Sequence, residues 1–594
     1  MGYHIVRYLQ KEKEKRKLPF KYLFKRTLIL LSPFKYSLIL LLVLSIVGIC
    51  LNLVIPYIIK LFVDAIVIGD INSLVNLAII FIVVATVGLA VNYTRSYLVP
   101  LIGQKLMLNL RNSLYRHVLT IKLDYFSRIP TGKIVARIMN DVDSIGEILA
   151  SGAIDVLSDF IFIAGAMFIM FSLSVELALI VTITVLIVVI IAYIWGERAR
   201  EVYRKVRESV AEVTSKIEQD VSGALLLHTF IHRRADSVME FQRLSKKTLT
   251  SSISAAKIVG SMGPLIRLIE ALCYILILWY GSHLVGVEKI TIGTLSAFYG
   301  YVGMLFRPLI MLTIFYGSFQ SALASLERIF DLLDTEVEAR RGDRRIKVRG
   351  SIVFENVTFG YDPDNPVLKS LSFKINSGEV VAIVGPTGSG KTTIVNLILR
   401  LYEPQKGRIL IDGIDLREIE LRCLREQIGL IPQEPVLFSG TVMDNLRIAI
   451  PHMSIGEIKE RLRKLGLEEF LLKLPQGYDT RVVEGGKNLS VGQRQIISIA
   501  RALLTDPSIL ILDEALSSID PISEFMIQEV LKRSLQNRTC IVIAHRLSTL
   551  RLADRILVVV DGRVVEEGPH EELIKKRGVY SRLYETHFAL ARAQ

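Results

Sequence analysis

Two groups of residues have the types and spacing to do chemistry on a phosphate. The first is Gly385-Pro386-Thr387-Gly388-Ser389-Gly390-Lys391-Thr392, which fits G-x-x-x-x-G-K-[ST], the pattern of a phosphate-binding loop. Its glycines let backbone N–H groups turn onto phosphate oxygens with no Cβ in the way. Lys391 is placed to reach the β- and γ-phosphates, and the Thr392 hydroxyl to ligate Mg²⁺. The second group is Ile509-Leu510-Ile511-Leu512-Asp513-Glu514, an apolar run ending in two acids. Asp513 can hold Mg²⁺ through water, and Glu514 can polarise an attacking water.

These side chains need elements to carry them. Val380 to Val384 reads as a buried strand leading into the loop, and Thr393 to Tyr402 as a helix whose N-terminus faces the anion. The run before Asp513 reads as a buried parallel strand. Leu489-Ser490-Val491-Gly492-Gln493 opens a further helix, Arg494 to Leu504. Strands are expected at Ser351–Phe354 and Val357–Tyr361, and another at Cys540–Ile543, just before His545. Tyr361 stands two dozen residues ahead of the loop, where an aromatic ring can stack on adenine. The second half of the chain is thus expected to be an α/β domain of the P-loop NTPase class.

The first half is of another kind. The chain has 594 residues, too many for one domain, and its mean hydropathy of +0.44 conceals a split between apolar runs and an ordinary soluble composition. Six apolar stretches, at about 37–62, 75–100, 153–173, 176–196, 262–286 and 291–320, each approach the roughly 20 residues that span a bilayer. The net charge of +14 would suit nucleic acid, but many of the basic residues flank the apolar runs. A lipid bilayer is therefore the expected partner, and no nucleic acid.

Lys105, Arg111, Arg116, Lys122, Arg198, Arg200 and Arg204 fall in alternate loops, and Asp64, Asp70, Glu176 and Glu288 in the others. Positive-inside then places both termini in the cytoplasm. No signal peptide is read at the N-terminus; residues 1–18 read as a basic tail and 18–35 as an amphipathic helix on the cytoplasmic surface. The connections 101–152 and 197–261 keep helical periodicity and mixed charge, which predicts membrane helices running on as cytoplasmic rods. Their turns are expected in 124–132 and 220–224. The expected domains are 1–36, tail and interfacial helix; 37–330, a six-helix membrane bundle with long intracellular loops; 331–349, linker; and 350–594, the nucleotide-binding domain.

Charges inside apolar stretches are expensive and mark cavities or interfaces. Asp155 and Asp159 share one helix face, Arg267 and Glu270 are spaced to pair within a helix, and Arg95 and Arg307 stand in or beside the runs. Phe298, Tyr299, Tyr301, Phe306, Phe315 and Tyr316 can line a pocket or simply pack. Cys50, Cys273, Cys423 and Cys540 are scattered, so neither disulfides nor zinc are expected.

The order of phosphate loop, Pro432-Gln433, LSxGQ, ILILDE and Ala544-His545-Arg546 resembles the nucleotide-binding domain of ABC transporters. With six spans ahead of it, nearly the whole chain resembles an ABC exporter with long intracellular helices, of the multidrug and lipid-exporting type. The resemblance implies ATP and Mg²⁺ as ligands. Gly385 to Thr392 with Thr393 would hold the phosphates, and Tyr361 the adenine. Gln433 would touch Mg²⁺ and the attacking water, with Thr392 and Asp513 as further metal ligands. Glu514 would be the catalytic base and His545 the γ-phosphate switch. Ser490, Gly492 and Gln493 would clasp ATP bound to a second subunit, and Asp520 would cross the dimer interface.

One membrane set and one nucleotide domain make a half-transporter, which must dimerise. Two positions depart from the family pattern. Val491 replaces the glycine usual at the third position of the signature, and Val483 stands where exporters usually have Gly. An altered signature on a chain retaining Glu514 and His545 favours a heterodimer over a homodimer. The expected activity is ATP-driven export of hydrophobic or amphipathic small molecules, or of lipids, across the plasma (inner) membrane by alternating access. The alternative is a homodimeric lipid flippase.

Overall fold

The computed structural model describes residues 19–148, 153–338, 342–513, 521–535, 538–544 and 550–586. The chain divides into two compact units. One takes the chain to Thr120 together with Ile129–Thr335; the other takes Ile121–Arg128 and the chain from Glu336 onward.

The described part of the first unit is helical. Helix α1 (Phe20–Leu31) starts after Pro19 and ends in a single 3₁₀ turn containing Pro33, which cannot continue it. Leu23 faces inward while Phe24, Leu28 and Ile29 stay exposed. Arg26 ties the helix down by pairing with Asp334 at 2.6 Å and lying over the Phe330 ring. Helix α2 (Lys35–Ile68) ends at Gly69, whose φ of +81° makes a left-handed cap; Asp70 then caps α3 (Ile71–Val118) by accepting from the Ser73 N–H at 3.2 Å.

Helix α4 (Leu123–Arg128) belongs to the second unit and lies in the first expected turn. Next come α5 (Thr131–Ala136), a π turn (Arg137–Asp141), α6 (Val142–Glu147) and α7 (Ala153–Leu173). Ser174 alone separates α7 from α8 (Val175–Ser222), capping it through the Leu177 N–H. Gly223 breaks that helix at the second expected turn, giving α9 (Ala224–Thr229). Helices α10 (Ile231–Gly286) and α11 (Ile292–Leu333, capped by Thr291) complete the unit.

The rods are present. A helix of 48 residues is about 72 Å long, against roughly 30 Å of hydrocarbon. Beyond their apolar halves, α8 and α10 are held by charge: Lys205 pairs with Glu201 four residues away, and Lys216 and Lys247 reach Glu240 and Glu212 across the pair. Among the described residues, five helices are long and apolar enough to cross a membrane. The sixth expected stretch falls on α11, 42 residues long. The unit's core includes Phe298, Tyr301 and Phe306, so these aromatics pack rather than line a pocket; the Tyr301 hydroxyl donates to the Leu53 carbonyl at 2.7 Å. Tyr299 packs against Tyr274 with tilted rings, and the side chain of Tyr316 lies outside the described residues. No ion pair joins Arg267 and Glu270 among the described residues. Asp155 pairs instead with Arg95 of α3, because a partner on a neighbouring helix neutralises charge and closes the interface at once. All four cysteines are free.

The second unit runs β1 (Ile352–Phe359), β2 (Leu368–Ile375), β3 (Val380–Val384), α12 (Lys391–Ile398), β4 (Lys406–Ile411), β5 (Ile414–Asp415), α13 (Leu421–Glu426) and β6 (Ile428–Ile431). It continues with β7 (Gly440–Thr441), α14 (Val442–Arg447), α15 (Ile455–Lys464), α16 (Glu468–Leu472), β8 (Arg481–Val482), α17 (Val491–Leu504) and β9 (Ile509–Asp513). It closes with α18 (Pro521–Ser534), β10 (Thr539–Ile543), β11 (Arg555–Val560), β12 (Arg563–Gly568), α19 (His570–Lys575) and α20 (Val579–Tyr584).

The central sheet has the order β12-β11-β3-β10-β9-β6, parallel from β11 to β6 with β12 antiparallel at one edge. An antiparallel sheet, β2-β1-β4-β5, stands beside it. Strands buried on both faces must be apolar throughout, and they are: along β9, Leu510 and Leu512 enter one core while Ile509 and Ile511 enter the other. The Asp561-Gly562 turn, with φ of +47° and +77°, sets the β11–β12 hairpin.

Candidate functional site

The sheet gathers the expected chemistry at one edge. Strands β3, β10, β9 and β6 are parallel neighbours, with Ile543 opposite both Ile383 and Asp513, and Ile431 opposite Leu512. Their carboxyl ends therefore lie side by side, and each leads into one part of the expected site: β3 into the phosphate loop, β10 toward His545, β9 toward Glu514 and β6 toward Gln433. Ligands of open α/β sheets bind at that edge. Glu514, Asp520 and His545 themselves lie outside the described residues.

The loop has the shape its glycines require. Gly388 and Gly390 take φ of +85° and +102°, and Gly390 leads straight into α12, which offers its first N–H groups with no side-chain cap. The helix was expected over 393–402; it begins at Lys391 and stops at Ile398, because Gly390 ends the loop in one residue and Arg400 turns to φ +50°. Lys391 is buried and its Nζ donates to the Gly385 and Pro386 carbonyls at 2.8 and 3.0 Å, so the ammonium is held across the loop. The Ser389 hydroxyl is buried with no hydrogen-bond partner among the described residues. An orphaned hydroxyl in a loop that carries a buried ammonium and leads into an uncapped helix start fits a phosphate. Thr392 is exposed and Thr393 buried.

Tyr361 is 41% exposed, set edge-on to Phe359 and Tyr402 at 5.2 and 5.1 Å. Its hydroxyl is held from α12 by Asn396 at 3.0 Å and lies 3.4 Å from the Thr393 hydroxyl. The ring is thereby fixed to the helix that carries the loop. Burial raises the Tyr402 pKa, with Ser127, Asp124 and Arg128 of α4 acting on it, so α4 sits beside this aromatic group. Only the fold brings Tyr402 and Ser127 here; their spacing in the sequence carries no signal.

Gln433 is exposed two residues past β6, and Asp513 ends β9. With Thr392 they supply oxygen donors of the kind Mg²⁺ takes. Ser490, Gly492 and Gln493 sit at the start of α17. Ser490 and Gln493 form a capping box: the Ser490 Oγ accepts from the Gln493 N–H at 3.2 Å, and the Gln493 Oε1 accepts from the Ser490 N–H at 2.9 Å. Val491 is the first helical residue, its side chain 37% exposed. Burial pushes the thiol of Cys540, in β10, up to about 12, which leaves it chemically inert in the core.

The membrane unit has a site of its own kind, a cavity of about 870 Å³ between α2, α3, α7 and α11. Arg95, Asp155, Asp159 and Arg307 line it, together with Phe315.

Comparison with known proteins shows two family regions in tandem. Residues 38–309 match the ABC transporter transmembrane region, and residues 368–517 the ABC transporter family. An ABC transporter ATP-binding protein of Bacillus subtilis (strain 168) is 36% identical over 92% of this chain and 91% of its own. The chain belongs to the ABC transporters, as an exporter half-transporter. An ATP-dependent lipid A-core flippase of Syntrophus aciditrophicus is 37% identical over 83% of this chain and 82% of its own length. The structure of a bacterial Atm1-family ABC exporter with ATP bound superposes with a TM-score of 0.78, at 27% identity over 94% of this chain and 99% of that one. The exporter is therefore a membrane protein whose second unit binds ATP and hydrolyses it to drive transport, and half-transporters of this family dimerise.

Proposed function

We propose that this exporter moves amphipathic small molecules or lipids across the plasma membrane by alternating access, with both termini in the cytoplasm. The observation that carries the reading is the phosphate loop with its buried, unpartnered Ser389 hydroxyl, in one chain with a membrane cavity that is part charged and part apolar. The lipid flippase among its relatives supports lipid as one substrate class.

The loop from Gly385 to Thr392, with Thr393, holds the phosphates, and Tyr361 supports the adenine. Thr392, Gln433 and Asp513 hold Mg²⁺, which neutralises phosphate charge when bound. Glu514 takes the proton of the attacking water and His545 contacts the γ-phosphate. Ser490, Gly492, Gln493 and Asp520 act on ATP held by the other subunit. Val491 in the signature favours a heterodimer; a homodimeric flippase is the alternative.

The test is to express the full chain alone and measure its oligomeric mass and its ATP hydrolysis, with and without Glu514→Gln. Loss of a general base should lower turnover by about 10²- to 10⁴-fold and leave ATP trapped. Turnover untouched by the substitution refutes Glu514 as the base. A dimer with Glu514-dependent turnover makes the protein a homodimer, and a monomer or a silent dimer makes it one half of a heterodimer.

A further inference from the structure

The charges around the membrane cavity are balanced but not all committed. Arg95 and Asp155 form an ion pair between α3 and α7. Asp159, one turn further along α7, feels the charges of Asp155, Arg95 and Arg307. Arg307, on α11, is exposed and has no hydrogen bond or ion pair among the described residues. The cavity therefore presents one bridged pair and one separated pair, Arg307 and Asp159, with formal charges summing to zero. Asn52, Ser158 and Ser318 add uncharged polar groups, and Ile49, Val156, Phe162, Met304, Met311 and Phe315 give the wall its apolar part. Methionines there let the wall adapt to chains of different shape.

Two prolines interrupt the hydrogen-bond ladders of helices beside the same wall. Pro56 in α2 and Pro308 in α11 lack the N–H that would bond the carbonyl four residues back. Those carbonyls belong to Asn52 and Met304, and both residues line the cavity. Hydrogen-bond acceptors freed in this way are tolerated at membrane depth only where they are buried in protein or line a polar cavity.

We propose that this cavity selects zwitterionic amphiphiles, with the anionic group of the head at Arg307, the cationic group at Asp159 and the chain along the apolar wall. The proposal rests on the export reading above. A single anion would occupy Arg307 and strip Asp159 of one of its two nearby positive charges. A single cation would do the reverse and leave Arg307 uncompensated. In a site of low dielectric an uncompensated charge is costly, so only a head carrying both signs leaves every group paired. The size suits this ligand, since sites for small molecules run from about 300 to 1,000 Å³.

The experiment uses the full-length exporter, with its partner subunit if the mass measurement requires one, in micelles of uncharged dodecyl maltoside. Four probes share one chain: dodecylphosphocholine, dodecyltrimethylammonium, dodecyl phosphate and dodecyl octaethylene glycol ether. ATP hydrolysis is followed as each is added. The zwitterion should shift the rate at a concentration about tenfold below either singly charged probe. Arg307→Gln should move the preference toward the cation and Asp159→Asn toward the anion, read as the ratio between probes within each variant. The double exchange R307D/D159R keeps the charge balance and should restore the preference for the zwitterion, which separates recognition from misfolding. A singly charged probe that outranks the zwitterion in the unaltered protein overturns the proposal, as does a ranking that neither single substitution changes. If all four probes act alike, charge selection alone fails. If none acts while Glu514-dependent hydrolysis continues, the reading of amphiphiles as substrates fails with it.

Discussion

Gly390 is a position in the phosphate loop where a side chain meets both backbone strain and a neighbour. Its φ is +102°, and a Cβ there would stand 2.6 Å from the Leu368 Cδ2. A left-handed non-glycine residue costs about 1–3 kcal/mol, and the contact adds to it. Gly390→Ala should therefore weaken ATP binding by about tenfold or more while leaving the thermal transition of the membrane unit in place. Equilibrium binding of a fluorescent ATP analogue checks this, and unchanged affinity would mean the loop tolerates another path. Part of this was readable in the residues, since the motif's glycines mark where no Cβ can stand between the backbone and a phosphate. The unpartnered Ser389 hydroxyl was not, because whether a hydroxyl has a partner depends on which chains surround it.

Between elements, the polar contacts that matter join segments far apart in the chain. Asp141 is buried in the π turn, where it accepts from Arg328 of α11 at 2.6 and 2.9 Å and from the Ser325 hydroxyl at 3.1 Å. Arg137, one turn earlier and also buried, reaches Asp331. A π turn widens the helix and re-aims its side chains, here toward α11. Arg328→Ala would leave a buried carboxylate with, among the described residues, the Ser325 hydroxyl as its side-chain donor. The loss should be about 1–3 kcal/mol, tempered because the Arg328 side chain is itself 46% exposed. The added substitution Asp141→Asn should recover most of it. Thermal unfolding of the single and double variants measures the difference. The long helices themselves followed directly from apolar runs and the helical periodicity and mixed charge of the rods, while the structure shows Asp70, Ser174 and Thr291 capping them. The Asp141 contact is 187 residues long in sequence and leaves no local trace.

The exporter leaves one apolar face uncovered that a soluble segment would hide. On and beside α9, Leu225, Leu226, Phe230 and Ile231 are 60–80% exposed, although this part of the chain lies beyond the apolar stretches. A cluster of this kind outside the membrane marks a contact surface. In a dimer of half-transporters the partner is the expected cover, so Leu225→Asp with Phe230→Asp should lower ATP hydrolysis by about tenfold or more through lost assembly. Mass measurement alongside activity checks it, and a fully active dimer would show that this face is free. Local chemistry determined the two unit types, the phosphate loop and the existence of membrane helices, because glycine spacing, caps and apolar periodicity act over a few residues. The tertiary structure decided which charges meet. It paired Asp155 with Arg95 rather than Arg267 with Glu270, sent Tyr301 into the core and Phe315 to the cavity, and set Tyr402 against Tyr361. The physical reason is that helix rotation and strand order, which no short stretch encodes, determine the face each side chain presents.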